Sequence, residues 1–214
     1  MEYAPTDRTK VRRVPDRARY DKAFVHSVID EALTCSVGFA VDGRPWVIPT
    51  IHTRVDDTLY IHGAPANHML KTLAGGIETC VSITLIDGLV LARSAFKHSL
   101  NYRSVVVFGL ATKVEDGAEK AAALAALVEQ VVRGRGADAR PPNANELRTT
   151  LVLRLPIEEV SAKVRTGGPL DDDDDMDLAV WAGVLPCATA YGAPLAEPGI
   201  TEPVPAYVAN YARP

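Results

Sequence analysis

Three short segments of the 214-residue chain carry side chains suited to gripping an anion. The first is LYIHGAPANHMLKTLAGG, Leu59 to Gly76. His62, His68 and Lys71 supply donors or positive charge, and Gly63 lets a ligand approach the backbone. Pro65 suits the first turn of a helix expected over Ala64 to Ala74. The unpaired N–H groups of a helix start at Ala64 would favour a phosphate, with Asn67 close by. The plain alternative is a strand–helix corner without a ligand. The second segment is SAFKHSLNYRSVVVFGLA, Ser94 to Ala111, where Lys97, His98 and Asn101 precede Tyr102, Arg103, Ser104 and Val105 at the mouth of an apolar strand. Arginine holds phosphate through two parallel hydrogen bonds, and serine adds one more. A solvated loop with a surface ion pair is the alternative. The third is VIPTIHT, Val47 to Thr53. Pro49 removes a ladder donor, so Ile48, Pro49 and Thr50 mark either a sheet edge or a strand facing a ligand.

The elements that must position these segments are mostly strands. Asp16 is expected to cap a helix from Arg17 to Leu33, with Tyr20, Phe24, Val28 and Ala32 on one stripe. Strands are expected over Cys35 to Val41, Trp46 to Thr53 and Leu59 to His62, joined by turns at Asp42-Gly43 and Asp56-Asp57. Thr79 to Ile86 and Leu89 to Ser94 read as strands about a turn at Asp87-Gly88. Arg103 to Val114 reads as a long strand, Ala118 to Val132 as a helix, and Thr149 to Leu155 and Glu159 to Arg165 as closing strands. Antiparallel strands with few helices fit a closed or partly closed barrel. The absence of alternating βα units argues against a doubly wound sheet.

Composition narrows the function classes. A net charge of −4 argues against nucleic-acid and membrane-surface binding. No apolar stretch has the length of a spanning helix, and the charged N-terminus does not read as a secretory signal. Cys35, Cys80 and Cys187 are too widely spaced for a disulfide framework or a zinc site, so reduced thiols and a cytoplasmic location are expected. The dinucleotide, P-loop, zincin and hydrolase-elbow motifs are missing.

The stretches ALTCSVGFAVDGRPWVIPT, LYIHGAPANHMLKTLAGG, TCVSITLIDGLVLARSAFKHSLNYRSVVVFGLA, SAKVR and WAGVLP span most of residues 17–186. Through them the chain resembles the pyridoxamine 5′-phosphate oxidase-related FMN-binding split barrels, and within these the flavin-nucleotide-binding, nitroimidazole-resistance-like branch. The resemblance implies a mainly β, six-stranded antiparallel split barrel with a few peripheral helices. By composition, residues 1–15 read as a basic, proline-broken arm and 187–214 as a Pro/Gly-rich tail, with the barrel domain and its acidic loop at 16–186 between them. The resemblance also implies a homodimer with two FMN sites at the subunit interface. Carried over by motif, Ile48, Pro49 and Thr50 would meet the ring. His62, Gly63, Ala64, Asn67, Lys71, Arg103 and Ser104 would hold the ribityl–phosphate end, and Tyr102 and Val105 would touch the cofactor.

The implied activity is a flavin-dependent oxidation or reduction of a small nitroaromatic or quinone-like substrate. The alternative is a non-catalytic flavin- or haem-binding carrier or sensor, since some relatives bind haem or a deazaflavin. His62 or His98 would then be the iron ligand, though a hydrogen-bonding role is favoured for either. The Arg/His substrate pair of true pyridoxamine phosphate oxidases has no clear counterpart, which argues against vitamin B6 oxidation. No catalytic base stands out. The run Asp171 to Asp175, with Asp177, lacks spaced ligands and is read as a solvated loop, so no metal site is expected. Val180 to Pro186 is expected to pack on the barrel or across a dimer, with Trp181 over the flavin as the alternative.

Overall fold

The computed structural model describes residues 1–213. After a 3₁₀ turn at Pro15–Arg17 come strand β1 (Ala18–Arg19) and helix α1 (Lys22–Glu31). The helix therefore begins later than Arg17. Ala18 and Arg19 are held extended by pairing with Lys163 and Ala162, and the cap is Asp21, whose Oδ1 accepts from Phe24 N at 2.9 Å. Strands β2 (Thr34–Val41), β3 (Arg44–Val55) and β4 (Thr58–Gly63) follow as a meander. Asp42 and Gly43 both have positive φ, 50° and 74°, the backbone of a two-residue hairpin turn.

Helix α2 (His68–Ala74) starts at His68, not Ala64. Asn67 is the N-cap, with Oδ1 accepting from Leu70 N at 3.1 Å. Pro65 thus lies in a turn ahead of the helix, and the helix start moves away from Ala64. Strand β5 (Glu78–Leu91) runs through Asp87-Gly88, where a register shift against β6 marks a bulge instead of the expected turn. Strand β6 (Ser99–Leu110) begins four residues ahead of Arg103, because Ser99–Tyr102 already pair with β5. Strand β7 (Thr112–Lys113), helices α3 (Gly117–Val131) and α4 (Ala144–Arg148), and strands β8 (Leu151–Pro156) and β9 (Glu159–Arg165) complete the barrel region. Strand β10 (Gly183–Pro186) and helix α5 (Ala206–Ala209) lie in the C-terminal segment.

The sheet order is β1-β9-β6-β5-β2-β3-β4-β8-β7, all antiparallel, with β10 added to β5. It is mainly β and unclosed, the split-barrel architecture that the sequence resemblance implies. It has ten strands instead of six, the additions including the two-residue β1 and β7 and the four-residue β10. One side of the sheet lines the core. Cys35, Val37 and Phe39 of β2 meet Val81 and Ile83 of β5 and Val105 and Val107 of β6 there. α1 contributes Val25, Val28 and Ile29 to the same cluster. Burial pushes the Cys35 thiol up to about 12, so it packs as an apolar group. α3 covers the outside, where Ala123 packs on Tyr60 and Val152.

Both chain ends are fastened. The Arg8 guanidinium lies over the Phe108 ring and meets Glu78, while Tyr3 is buried with its hydroxyl near His26 and Asp57. At the other end Arg213 donates to the carbonyls of Asp30, Glu31 and Gln130. These carbonyls lie at the C-terminal ends of α1 and α3, where intrahelical donors run out, and Asp30 O also accepts from Gln130 Nε2 at 3.2 Å.

Candidate functional site

The site begins where β3 and β4 part. Their pairing runs from Val55↔Thr58 to His52↔Ile61 and stops, although β3 extends back to Arg44 and β4 on to Gly63. β4 turns its other edge to β8, with His62 opposite Val152 and Gly63 opposite Leu151. β3 remains paired with β2 as far as Arg44↔Val41. The result is a split in the barrel wall, with the Arg44–Ile51 edge of β3 free.

The hairpin register fixes which groups face the split. Val41 and Arg44 flank a two-residue turn and exchange bonds, so even-numbered residues of β3 bond to β2 and odd-numbered ones point outward. Pro45 and Pro49 therefore place their missing N–H groups on the free edge. Only Val47 and Ile51 retain donors there. Trp46 is 42% exposed and Val47 67%, a large apolar exposure for a strand at the barrel wall. Trp46 stacks on Phe39 at 6.4 Å and 8°, and meets the His68 ring edge-on at 5.5 Å.

The segment from His62 to Lys71 borders this opening. Gly63 fits tightly: a Cβ there would stand 3.0 Å from Leu70 Cδ1. Asn67 spends its carbonyl on the cap and keeps its amide donors. Lys71 and His68 are exposed, and neither forms an ion pair or a side-chain hydrogen bond among the described residues. His62 is half-buried, its Nδ1 buried without a partner, and burial lowers its pKa. Neither Arg44–Ile51 nor His62–Lys71 contains a carboxylate.

The structure thus brings Ile48, Pro49 and Thr50 together with His62, Gly63, Ala64, Asn67 and Lys71 at the split. Ile48 leans on the core, and Pro49 faces outward. It does not bring β6 there, since β5 and β2 intervene. Val105 is wholly buried in the barrel core. Ser104 Oγ lies 3.4 Å from Lys163 O, and Tyr102 sits between Ile86 and Arg165. Arg103 is engaged on both sides. Its Nη2 donates to Glu31 Oε1 at 2.8 Å and to Asp87 Oδ1 at 2.7 Å, and Nε reaches Asp87 Oδ2 at 3.0 Å. Its hydrogen bonds to the Glu31 and Asp87 carboxylates hold its pKa above the ordinary arginine value. Its donors are taken by carboxylates of its own chain, so the positive charges left at the split are those of Lys71 and, at the start of the free β3 edge, Arg44, neither of which forms an ion pair among the described residues.

Residues 21–164 match the family model described as pyridoxamine 5′-phosphate oxidase. The chain belongs to this family. Among solved structures it is similar to the flavocytochrome Anf3 from Azotobacter vinelandii, with 38% identity over 96% of this chain and 97% of that one and a TM-score of 0.88. It is also similar to the FAD and heme binding protein from Mycobacterium smegmatis, with 36% identity over 90% and 95% of the two chains and a TM-score of 0.86. A protein described as a 5-nitroimidazole antibiotic resistance protein, from Bacteroides thetaiotaomicron, has 26% identity over 69% of this chain and 86% of that one, with a TM-score of 0.57. No curated protein matches the chain. The family model stops at 164, whereas the flavocytochrome match leaves only 4% of this chain uncovered and so takes in most of the C-terminal segment.

Trp46 and Val47 are missing from the residues that the sequence nominates. Their strand alternates normally, and only the early end of β3–β4 pairing exposes them. The sequence signal is a proline pair, Pro45 and Pro49, four residues apart. It places both missing donors on one edge.

Proposed function

We propose that this pyridoxamine 5′-phosphate oxidase family member is a flavin-binding redox protein with its flavin in the split beside β3. The observation that carries the reading is the free Arg44–Ile51 edge, apolar at Trp46, Val47 and Ile51, next to a lysine with no acidic partner. Apolar side chains suit a flat ring, the Val47 and Ile51 amides suit its polar rim, and Lys71 offsets a phosphate. The flavin, when bound, supplies the redox chemistry, and the chain orients it and tunes its surroundings. With no carboxylate on either wall, the site favours hydride or electron transfer over proton abstraction. The small nitroaromatic or quinone acceptor remains the substrate class that this reading nominates.

The flavin and haem named for the two similar proteins above one-third identity support a second cofactor. Two histidines, at opposite ends of the sheet, each leave a ring nitrogen free for an iron. His68 stands at the split without a hydrogen-bond partner. His98 Nδ1 lies 3.0 Å from Ser94 O, so that nitrogen carries the proton and Nε2 keeps its lone pair. The sheet face opposite the core carries small side chains, Ser36, Gly38, Ser82 and Ser104 among them, which fits the homodimer implied by the resemblance.

The test is spectroscopic. The purified protein is expected to be yellow, or to quench added FMN or FAD at micromolar concentration, with a Soret band if haem is retained. Chromatography of the released flavin separates FMN from FAD. A colourless protein that quenches neither flavin sinks the reading.

A further inference from the structure

The barrel mouth beside Arg103 opens into a further cavity. Its volume is about 510 Å³, within the usual size of a small-molecule site. The inner wall comes from the end of α1, from β5 and from β6, through Leu33, Leu85 and Arg103. The outer wall is the C-terminal tail, at Cys187, Ala188, Thr189, Tyr191 and Arg213. β2 separates β5 from β3 in the sheet, so this cavity is not the split. The tail leaves from a strap, residues 167–186, that is fastened to the barrel. Asp171 pairs with Arg93 at 2.8 Å, and β10 pairs with Gly88–Leu91. Cys187 N then donates to Asp87 O at 3.1 Å, and Arg213 fixes the tail's other end to the carbonyls of Asp30 and Glu31. Between these fixed points residues 187–205 contain no helix or strand. The outer wall is therefore held at two ends without being part of the sheet, and it can part without breaking a ladder.

We infer that this cavity binds an uncharged small molecule with an apolar body and a carbonyl or hydroxyl group. The charge on the walls sets the first condition. The cations are Arg103 and Arg213, the carboxylates Glu31 and Asp87, so the described walls are neutral. Both carboxylates already pair with Arg103. Arg213 donates to the carbonyls of Asp30, Glu31 and Gln130 and to the Tyr211 hydroxyl. Of the five N–H groups of an arginine, each therefore keeps a single one. One N–H suits a carbonyl or hydroxyl oxygen, whereas a carboxylate or phosphate is held by the paired fork. A charged ligand would lose its hydration here and meet no free counterion. The second condition is the apolar body. Ala32, Leu33, Leu85, Ile86 and Ala188 supply apolar wall, and Ile86 is 43% exposed although it lies within β5. The third is polar contact. The hydroxyls of Thr84, Thr189 and Tyr191 line the cavity and have no hydrogen-bond partner among the described residues. Tyr191 meets the Tyr211 ring edge-on at 4.8 Å, which fixes its place in the wall.

Calorimetric titration of the full chain tests this, at neutral pH, with and without saturating FMN. The probe is α-naphthol, and α-naphthoate and α-naphthylmethylamine are its anionic and cationic counterparts. The naphthol should bind, and each charged counterpart should bind about ten-fold more weakly or worse. Ala188→Trp fills the cavity from the exposed tail, and Ile86→Asp sets a charge on the barrel side. Either should weaken the naphthol about ten-fold or more, and Ala188→Trp should leave the unfolding midpoint and FMN affinity unchanged. Binding of the naphthol should be equal with and without FMN. No heat with wild type, full affinity in both variants, tighter binding of either charged counterpart, or displacement of the naphthol by FMN overturns the site. None of these results bears on whether flavin itself binds at the split, which the FMN titration reads separately.

Discussion

Arg103 Nη2 donates to Glu31 Oε1 across 2.8 Å, tying the middle of β6 to the last turn of α1. The same guanidinium binds Asp87 at the bulge of β5, so one side chain joins three elements at the barrel mouth. A residue whose type and position suggest an anion ligand is in this fold a clamp. Its expected loss follows from that role. Arg103→Ala leaves two partly buried carboxylates facing each other and should cost about 1–3 kcal/mol of stability. Denaturant unfolding of the ligand-free protein measures it. Unchanged stability with a large loss of flavin affinity would return Arg103 to the phosphate.

Lys71→Ala should do the reverse. Lys71 is exposed and pairs with nothing in the fold, so its removal should leave the unfolding midpoint unchanged. Loss of a charged hydrogen bond to a flavin phosphate weakens binding by about 1.5–3 kcal/mol. Lys71→Arg should restore part of it. Flavin fluorescence titration reads the difference, and equal affinity in Lys71→Ala and wild type would clear this lysine of any part in binding.

Stability should fall on mild acidification. His52 is fully buried, with Nε2 2.9 Å from Ile29 O and Nδ1 unpartnered, and burial lowers its pKa. Burial lowers His26 and His62 likewise. A depressed folded value means that the unfolded chain binds the proton more readily. These groups therefore contribute fully above the ordinary histidine value of about 6.5, and the contribution is lost as pH falls below it through the folded values. Denaturation midpoints at pH 7.5 and 5.5 should show the drop, and His52→Gln should shrink it. A flat profile would contradict the burial of these rings.

The strap should also respond to acid, at lower pH. Burial alone would raise the Asp171 pKa, but hydrogen bonds from the Arg93 side chain and backbone, and the charge of Arg93, bring it below the usual carboxylate value. Its contribution is present above that usual value, near 3.8, and disappears as pH falls through the lower folded one. Asp171→Asn should loosen the strap at neutral pH. The expected sign is faster amide exchange over Gly183–Pro186, with the barrel strands unaffected. Protection equal to wild type would show that β10 holds without the pair.

Much of the barrel was legible. Alternation in Cys35 to Val41, the Asp42-Gly43 turn and the apolar run after Arg103 each report local physics, because side-chain period and turn chemistry are set by neighbours in sequence. The boundaries missed are those that distant partners decide. Ala18 and Arg19 are extended because β9 lies beside them, and Asp87-Gly88 is a bulge because β6 continues straight past it. Of the site, the segments on β3 and after β4 were readable, since proline and glycine announce backbone roles. Trp46 was not, because exposure depends on where β4 leaves β3.

By itself, then, the sequence determined that strands would alternate and turn at stated places, and which cationic side chains existed to meet an anion. Those properties follow from each residue and its near neighbours. Only the tertiary structure decided which cations remained available. Arg103, Arg93 and Lys97 each find carboxylates distant in sequence, at Glu31 and Asp87, Asp171, and Asp172. Lys71 finds none. Charge pairing depends on distance in space, and the fold alone sets that distance.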